Sequence, residues 1–304
     1  MKTRIQLLTM SSLKSSDQIT SDQHSRSKMR IIGLGLPRCA TTSLQAAFES
    51  PILGCGPCMH MNVIVPQPGK TQLVIDAMRE KNDISRHAIL YRLFDGFGST
   101  FDVPGSLFAD DLMDMYPEAI LLLNARPGPE VQRASSWARS CHDAFAFPHS
   151  IFYKILCFPL SMHRKASTML RSIYPYYAEQ PRFAGLGLRP GAGSGLDWAT
   201  PEFYENYQCW VREQAQKRGR KVVEYHPKMG WEPLCELVGS TNVPPPGTPL
   251  PHENDAKVKR NRMRMVFASG VLSWIAILVS AWVLFTHAPR LLTHVRLYYS
   301  LARQ

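Results

Sequence analysis

The architecture of this chain is set by one run near its N-terminus, Met29-Arg-Ile-Ile-Gly-Leu-Gly-Leu-Pro-Arg-Cys-Ala-Thr-Thr-Ser-Leu-Gln-Ala-Ala-Phe-Glu-Ser50. Its apolar start, residues 29–34, predicts a short buried parallel strand. Glycines and a proline then break the strand, and apolar residues at helical spacing follow from Thr41. A strand, a turn and a helix start aim free backbone N–H groups at an anion, and Arg38 in the turn adds a positive charge. The run therefore predicts a cradle for phosphate or sulfate.

Two common nucleotide motifs do not fit this turn, although a turn without any ligand stays an alternative. A Walker A loop, G-x-x-x-x-G-K-[ST], laid from Gly35 puts Ala40 at the second glycine and Thr41 at the lysine. A dinucleotide fingerprint laid from Gly33 puts Arg38 where the third glycine belongs. The missing lysine argues against nucleotide hydrolysis, and the bulky arginine argues against a Rossmann fold.

The net charge of +11 is concentrated in the C-terminal tail. The segment after Asp255 has eight basic and no acidic residues, which leaves only +3 on residues 1–256. Nucleic-acid-binding domains carry their basic residues on the folded body. We therefore expect no nucleic-acid partner.

Residues 265–285 predict a transmembrane helix, because these 21 residues carry no charge. At about 1.5 Å per residue the helix is roughly 31 Å long, which matches a hydrocarbon core of roughly 30 Å. Five basic residues lie within 257–264, so the positive-inside rule places the body in the cytosol, as a single-pass protein. One face of small residues favours a homodimer through paired helices; it consists of Ser269, Ser273, Ala276 and Ser280.

Composition divides the rest of the chain. Residues 1–28 have no apolar signal-peptide segment and are predicted to be disordered. A domain over 29–242 follows, then a Pro-rich and basic linker over 243–264, the helix over 265–285, and a short tail over 286–304. Seven cysteines without a framework spacing fit a reducing compartment.

Strands and helices alternate through the body, which predicts an α/β fold with a three-layer parallel sheet. The clearest strands are 119–125 and 222–225, and helices are expected over 41–50, 70–94, 106–116, 130–141, 200–219 and 231–239. The aromatic stretch 142–199 predicts either a lid over an apolar substrate or helices packed on the sheet, with packed helices favoured. Cys55, Cys58 and His60 supply at most three ligands, so no metal site is expected.

Five ordered segments resemble the fungal-type P-loop sulfotransferases, a family often mislabelled as NAD-dependent epimerase/dehydratases. They are Pro37-Arg-Cys-Ala-Thr-Thr-Ser43, Pro57-Cys-Met-His-Met61, Asp102-Val-Pro104, Tyr116-Pro117 through Arg126, and Gly230-Trp-Glu-Pro-Leu-Cys235. The resemblance covers residues 29 to about 256. It implies a P-loop NTPase-like sulfotransferase fold and sulfuryl transfer from 3′-phosphoadenosine 5′-phosphosulfate (PAPS) to a hydroxyl or amine of an unknown small molecule.

The same resemblance implies roles for individual residues. Arg38, Cys39, Ala40, Thr41 and Thr42 would hold the 5′-phosphosulfate, and Arg38 would stabilise charge on the bridging oxygen. Arg126 matches the 3′-phosphate arginine; its usual serine partner falls on Ala134, and one inserted residue moves that role to Ser135. His60 or Asp102 would be the base that removes the acceptor proton.

The chain also departs from the family pattern. Cys39-Ala40 replaces the usual Thr-Gly or Ser-Gly, which adds a methyl group where the backbone meets phosphate and removes a hydroxyl. The sequence therefore leaves two functions open. One is a membrane-anchored sulfotransferase, and the other is a non-catalytic, membrane-tethered binding protein on a degenerate P-loop scaffold.

Overall fold

A computed structural model describes residues 29–191, 195–251 and 256–301. The predicted disordered segment 1–28 lies outside the described residues, as do residues 302–304 of the predicted tail.

The described chain folds around a five-stranded parallel sheet with the order β2-β3-β1-β4-β5. This confirms the predicted α/β class. The strands are β1 Ile31–Gly33, β2 Cys58–Met59, β3 Ser99–Thr100, β4 Ile120–Asn124 and β5 Val222–Tyr225.

Helices flank the sheet on both faces. They are α1 Thr41–Glu49, α2 Met61–Ile64, α3 Pro68–Arg79, α4 Asp83–Phe94, α5 Ala109–Met115, α6 Glu130–His149, α7 Ile151–Leu156, α8 Ser161–Glu179, α9 Pro201–Lys217, α10 Glu232–Val238 and α11 Ala256–Leu301, with 3-10 turns at Pro181–Leu186 and Pro227–Met229.

Alternation along the central strands produces two separate apolar cores. Ile31 and Leu122 point to one face and pack with Leu44 and Phe48 of α1. The opposite core is larger, and it takes its strand residues from the alternate positions; among its members are Ile32, Leu121, Leu123, Val74, Leu90, Trp137, Met169 and Phe203. Since neighbouring strand residues face opposite ways, a strand buried on both faces requires helices on both sides.

Several helix boundaries differ from the prediction. The predicted helical region 70–94 contains two helices, α3 and α4. Asn82 caps the second helix by accepting a hydrogen bond from Ser85 N–H. The helix expected to begin at Ser106 begins at Ala109, because Ser106 lies in a turn in which its N–H bonds to Asp102 O. The helix over 130–141 continues to His149.

The stretch 142–199 is largely helical where it is described. Helix α8 and the turn after it bury Tyr176, Tyr177 and Phe183 in the larger core. Packed helices, the favoured alternative, are what the structure shows at this position.

Helix α11 contains one segment, Met263–His287, that is long and apolar enough to cross a membrane. It includes the predicted span 265–285. The helix begins at Ala256, so the basic part of the predicted linker is already helical.

Candidate active site

The turn between β1 and α1 has an unusual backbone. Arg38 has φ 71° and Ala40 has φ 58°, both in the left-handed region that L-residues rarely adopt. The first hydrogen bond within α1 runs from Leu44 N–H to Ala40 O at 3.0 Å, and Ala40 provides no side-chain cap. The N–H groups of residues 41–43 therefore lack acceptors within the helix and are available as hydrogen-bond donors.

Asn124, at the end of β4, fixes both ends of this turn. Its Oδ1 accepts from Gly35 N–H at 3.0 Å, and its Nδ2 donates to Cys39 O at 2.9 Å. Asn124 is fully buried, and a Cβ at Gly35 would lie 2.1 Å from Asn124 O. Gly35 is therefore required by the close approach of the loop to β4, and the sequence analysis did not single out Asn124.

The two predicted site arginines, Arg38 and Arg126, meet at the loop. An Arg126 guanidinium N–H donates to Arg38 O at 3.0 Å, while Arg38 Nε donates to Ser140 Oγ at 3.2 Å. Both side chains are half-buried. A guanidinium has five N–H donors, so these bonds orient each cation without exhausting its capacity to bind an anion.

The serine that contacts Arg126 is Ser136, whose Oγ accepts from Arg126 Nε at 3.0 Å. The prediction had assigned the neighbouring Ser135. Ser136 and Ser140 are four residues apart in α6 and share the helix face toward the loop, whereas Ser135 is rotated by about 100° around the axis. In this structure the serine that contacts Arg126 is therefore one position beyond the predicted Ser135.

Behind the loop, His60, Asp102 and Thr41 form a compact polar group. His60 Nε2 lies 3.2 Å from Asp102 Oδ2 and 3.1 Å from Thr41 Oγ1. The Thr41 hydroxyl donates to the same Asp102 oxygen at 3.3 Å. His60 and Asp102, considered as alternatives from the sequence, are therefore direct neighbours, and all three side chains are buried.

The hydrogen bonds of His60 fix its tautomer. Its Nδ1 accepts from Asn62 N–H at 3.2 Å and caps α2, so the proton of the neutral ring is on Nε2. Nε2–H then faces Asp102 and Thr41. Asp102 has φ 66°, and its Oδ1 accepts from Val103 N–H at 2.7 Å. Backbone strain of this kind is concentrated at functional sites.

A narrow apolar crevice runs beside this polar group. Met61 and Val103, which directly follow His60 and Asp102, form one side, and Pro37 of the loop forms another. Phe145 of α6 and Trp198 are among the other residues that line the crevice. Trp137 of α6 also contacts the loop, because its Nε1–H donates to Pro37 O at 2.7 Å.

Cys39 differs from its predicted place, because its side chain is in the core rather than toward an anion. Burial raises the pKa of the Cys39 thiol to about 12, so the group is a neutral thiol at physiological pH. Only its backbone lies at the loop. Thr42 is half-buried in the first turn of α1.

Comparison with known proteins agrees with this geometry. A family model described as a sulfotransferase domain matches residues 30–258. The chain belongs to the sulfotransferase-domain family. A curated protein of Aspergillus versicolor, Ava biosynthesis cluster protein M, is 28% identical over 258 residues, which are 77% of this chain and 85% of that protein.

In this sulfotransferase domain the matched region ends at residue 258, before the apolar segment Met263–His287. The whole polar site, from the loop to Ser140, therefore lies within the family domain. Among the described residues, no group of three His, Cys, Asp or Glu side chains is placed to hold a metal ion.

Proposed function

We propose that this protein is a membrane-anchored sulfotransferase that transfers a sulfuryl group from PAPS to a hydroxyl or amine. The single observation that carries the proposal is the convergence of three features at one end of the sheet. The first feature is the uncapped start of α1, preceded by the left-handed residues Arg38 and Ala40. The second is the pair of arginines, Arg38 and Arg126, at this turn. The third is the His60–Asp102 pair, which contacts Thr41 at the start of α1.

The loop has the chemistry to bind the donor. The amides of residues 41–43, with the Thr42 hydroxyl and Arg38, would bind the 5′-phosphosulfate, since fixed N–H dipoles and a guanidinium favour a concentrated negative charge. Arg126, oriented by Ser136, would bind the 3′-phosphate. Donor binding is supported by the partner of Arg38, which is a serine hydroxyl and not a carboxylate in the part of the chain that the structure describes.

Asp102 is our candidate for the base. Both nitrogens of His60 are engaged, one by Asn62 N–H and the other toward Asp102 and Thr41. His60 therefore positions the carboxylate, and Asp102 takes the acceptor proton as the acceptor oxygen or nitrogen bonds to sulfur. The S–O bond to the 5′-phosphate breaks in the same step and leaves adenosine 3′,5′-bisphosphate. Arg38 stabilises the charge that develops on the departing oxygen.

The acceptor would lie against Pro37, Met61 and Val103, which line a small apolar pocket of about 10 Å³ that must widen to admit it. Its walls carry few polar groups, which favours a lipophilic alcohol or amine. The span within α11 would then hold the domain at a bilayer, with the body in the cytosol as the basic segment before the span predicts.

The test uses the full chain in detergent micelles, with labelled PAPS and binding of adenosine 3′,5′-bisphosphate. We expect saturable nucleotide binding and label transfer to a lipophilic acceptor panel. Arg38→Ala should lower transfer by about 100-fold or more, as for loss of a transition-state donor. The matched control is Arg212→Ala, which removes an arginine paired with Glu224 at the surface and should leave transfer unchanged.

The assignment of the base is tested separately. Asp102→Asn keeps a side chain that tolerates the left-handed backbone, and it should lower kcat by about 100-fold or more while nucleotide binding persists. His60→Asn keeps an N-cap acceptor for α2 and should lose less activity. Equal activity of Asp102→Asn and the wild type would contradict the role.

The methyl group of Ala40 in the left-handed region favours one alternative, a non-catalytic binding protein. That alternative predicts no label transfer to any acceptor. Absence of saturable binding at millimolar nucleotide would contradict the sulfotransferase and favour this alternative.

A further inference from the structure

Helix α7 packs directly on the apolar part of α11. The Phe152 ring stacks on Phe267 with centroids 6.3 Å apart, and the Phe158 ring stacks on Trp274 at 6.4 Å. Trp274 Nε1–H also donates to Ile155 O at 2.9 Å. Phe267 and Trp274 are seven positions apart, which corresponds to about 10 Å along a helix. The contact therefore occupies one narrow band of α11.

Helix α7 and the turn after it expose large apolar side chains beside α11. Ile151, Phe152, Ile155 and Phe158 are each more than half exposed, from 54% to 66%. Soluble surfaces rarely expose four large apolar side chains within eight residues of chain. Interfacial helices bury their apolar face about 5–10 Å into the boundary between headgroups and acyl chains, which matches the width of the band on α11.

A cavity of about 590 Å³ opens between α7, α8 and the end of α3. Five basic side chains and only one acidic side chain, Glu179, line it. The remaining wall is partly apolar and includes Tyr153, Phe158 and Tyr176. The basic residues are Arg79, Lys81, Lys154, Arg164 and Arg171.

Phe158 connects this cavity to α11. It lines the cavity on one side and stacks on Trp274 on the other, while the Arg164 guanidinium lies 5.4 Å from its ring centroid. The buried Nε–H of Arg171 has no acceptor within the described ranges. Cations thus lie next to an apolar surface that continues onto the candidate membrane span.

We propose that this cavity binds the phosphate headgroup of an anionic phospholipid whose acyl chains lie along α7 and α11. The cationic lining matches a phosphodiester, and Phe158 provides a continuous apolar path from the headgroup to the acyl chains. A soluble anion would match the cations but not the exposed apolar face of α7. The inference rests on the proposed membrane anchoring and is independent of sulfuryl transfer.

The experiment places the full chain in nanodiscs of phosphatidylcholine with a minor fraction of phosphatidylserine and counts retained lipids by native mass spectrometry. We expect one phosphatidylserine to be retained in preference to phosphatidylcholine. Lys154→Gln with Arg164→Gln should lower this retention by about fivefold for each charge removed. The control, Lys165→Gln with Arg212→Gln, removes two positive charges outside the cavity lining and should retain the lipid.

Lys154 is exposed, so Lys154→Gln alone decides the result if the double variant does not fold. Equal retention in the cavity and control variants would overturn the proposal. Displacement of the lipid by millimolar inorganic phosphate would overturn it too, because the site would then bind free phosphate. Alkaline carbonate extraction tests the anchoring separately: a chain that remains in the membrane pellet without retaining phosphatidylserine contradicts only the lipid site.

Discussion

Replacing Ala40 by glycine should stabilise this protein, although the same change in the middle of a helix destabilises. Ala40 precedes α1 with φ 58° and ψ 27°. An L-residue there costs about 1–2 kcal/mol, because its Cβ crowds the following carbonyl oxygen. Glycine removes this cost but loses about 0.4–1 kcal/mol through the greater freedom of the unfolded chain. The net gain is about 0.5–1 kcal/mol in the free energy of unfolding.

For a domain of this size, about 1 kcal/mol shifts Tm by roughly 2–4 °C. Thermal unfolding of the full chain in detergent, followed by intrinsic tryptophan fluorescence, should therefore show Tm raised by roughly 1–4 °C in Ala40→Gly. The matched control is Ala46→Gly, the same chemical change within α1. Glycine in a helix interior costs about 1 kcal/mol, so this variant should unfold roughly 2–4 °C below the wild type.

The diagnostic result is that Ala40→Gly raises Tm whereas Ala46→Gly lowers it. If Ala40→Gly lowers Tm as much as Ala46→Gly does, Ala40 does not have the left-handed backbone that shapes the loop. The same outcome would remove the support for an anion site at α1, since the turn would then direct its N–H groups elsewhere.

Two further predictions concern the loop and the core beneath it. Asn124→Asp should lower the free energy of unfolding by at least about 2 kcal/mol and weaken nucleotide binding, because the buried carboxylate cannot donate to Cys39 O. Denaturant unfolding measures the stability and calorimetry measures the binding. A variant that is as stable as the wild type and binds nucleotide equally well would refute the role of Asn124 in holding the loop. Burial raises the pKa of Cys39 and of Cys58 to about 12, so at pH 8 both remain unreactive thiols. Iodoacetamide should modify the exposed Cys209 alone in the native protein, and native labelling of Cys58 would contradict its burial.

The elements that the sequence predicted best are those with a strong local pattern. Strand β5 matches the predicted 222–225, and Thr200 caps α9 by accepting from Phe203 N–H, as its position before Pro201 indicated. Strand β2 has only two residues, Cys58 and Met59, and no periodicity can be read from two residues. Cys55 and Cys58, considered from the sequence as metal ligands, are both buried in the smaller core.

The site itself required the order of the strands. His60 follows β2, Asp102 lies just after β3, the loop follows β1, and Asn124 ends β4. These four strands are consecutive neighbours in the sheet, so parallel pairing brings their carboxyl ends to one edge. Without that order, His60 and Asp102 were two separate candidates, and Asn124 was an ordinary strand residue.

This arrangement also explains why the altered loop keeps its shape. Ala40 adopts the left-handed conformation against its own preference. Asn124 holds the turn at Gly35 and Cys39, Trp137 holds Pro37, and Arg126 holds Arg38 O. These contacts come from β4, from α6 and from Arg126, which lies between the two elements. The turn is therefore fixed by residues that are distant in the sequence.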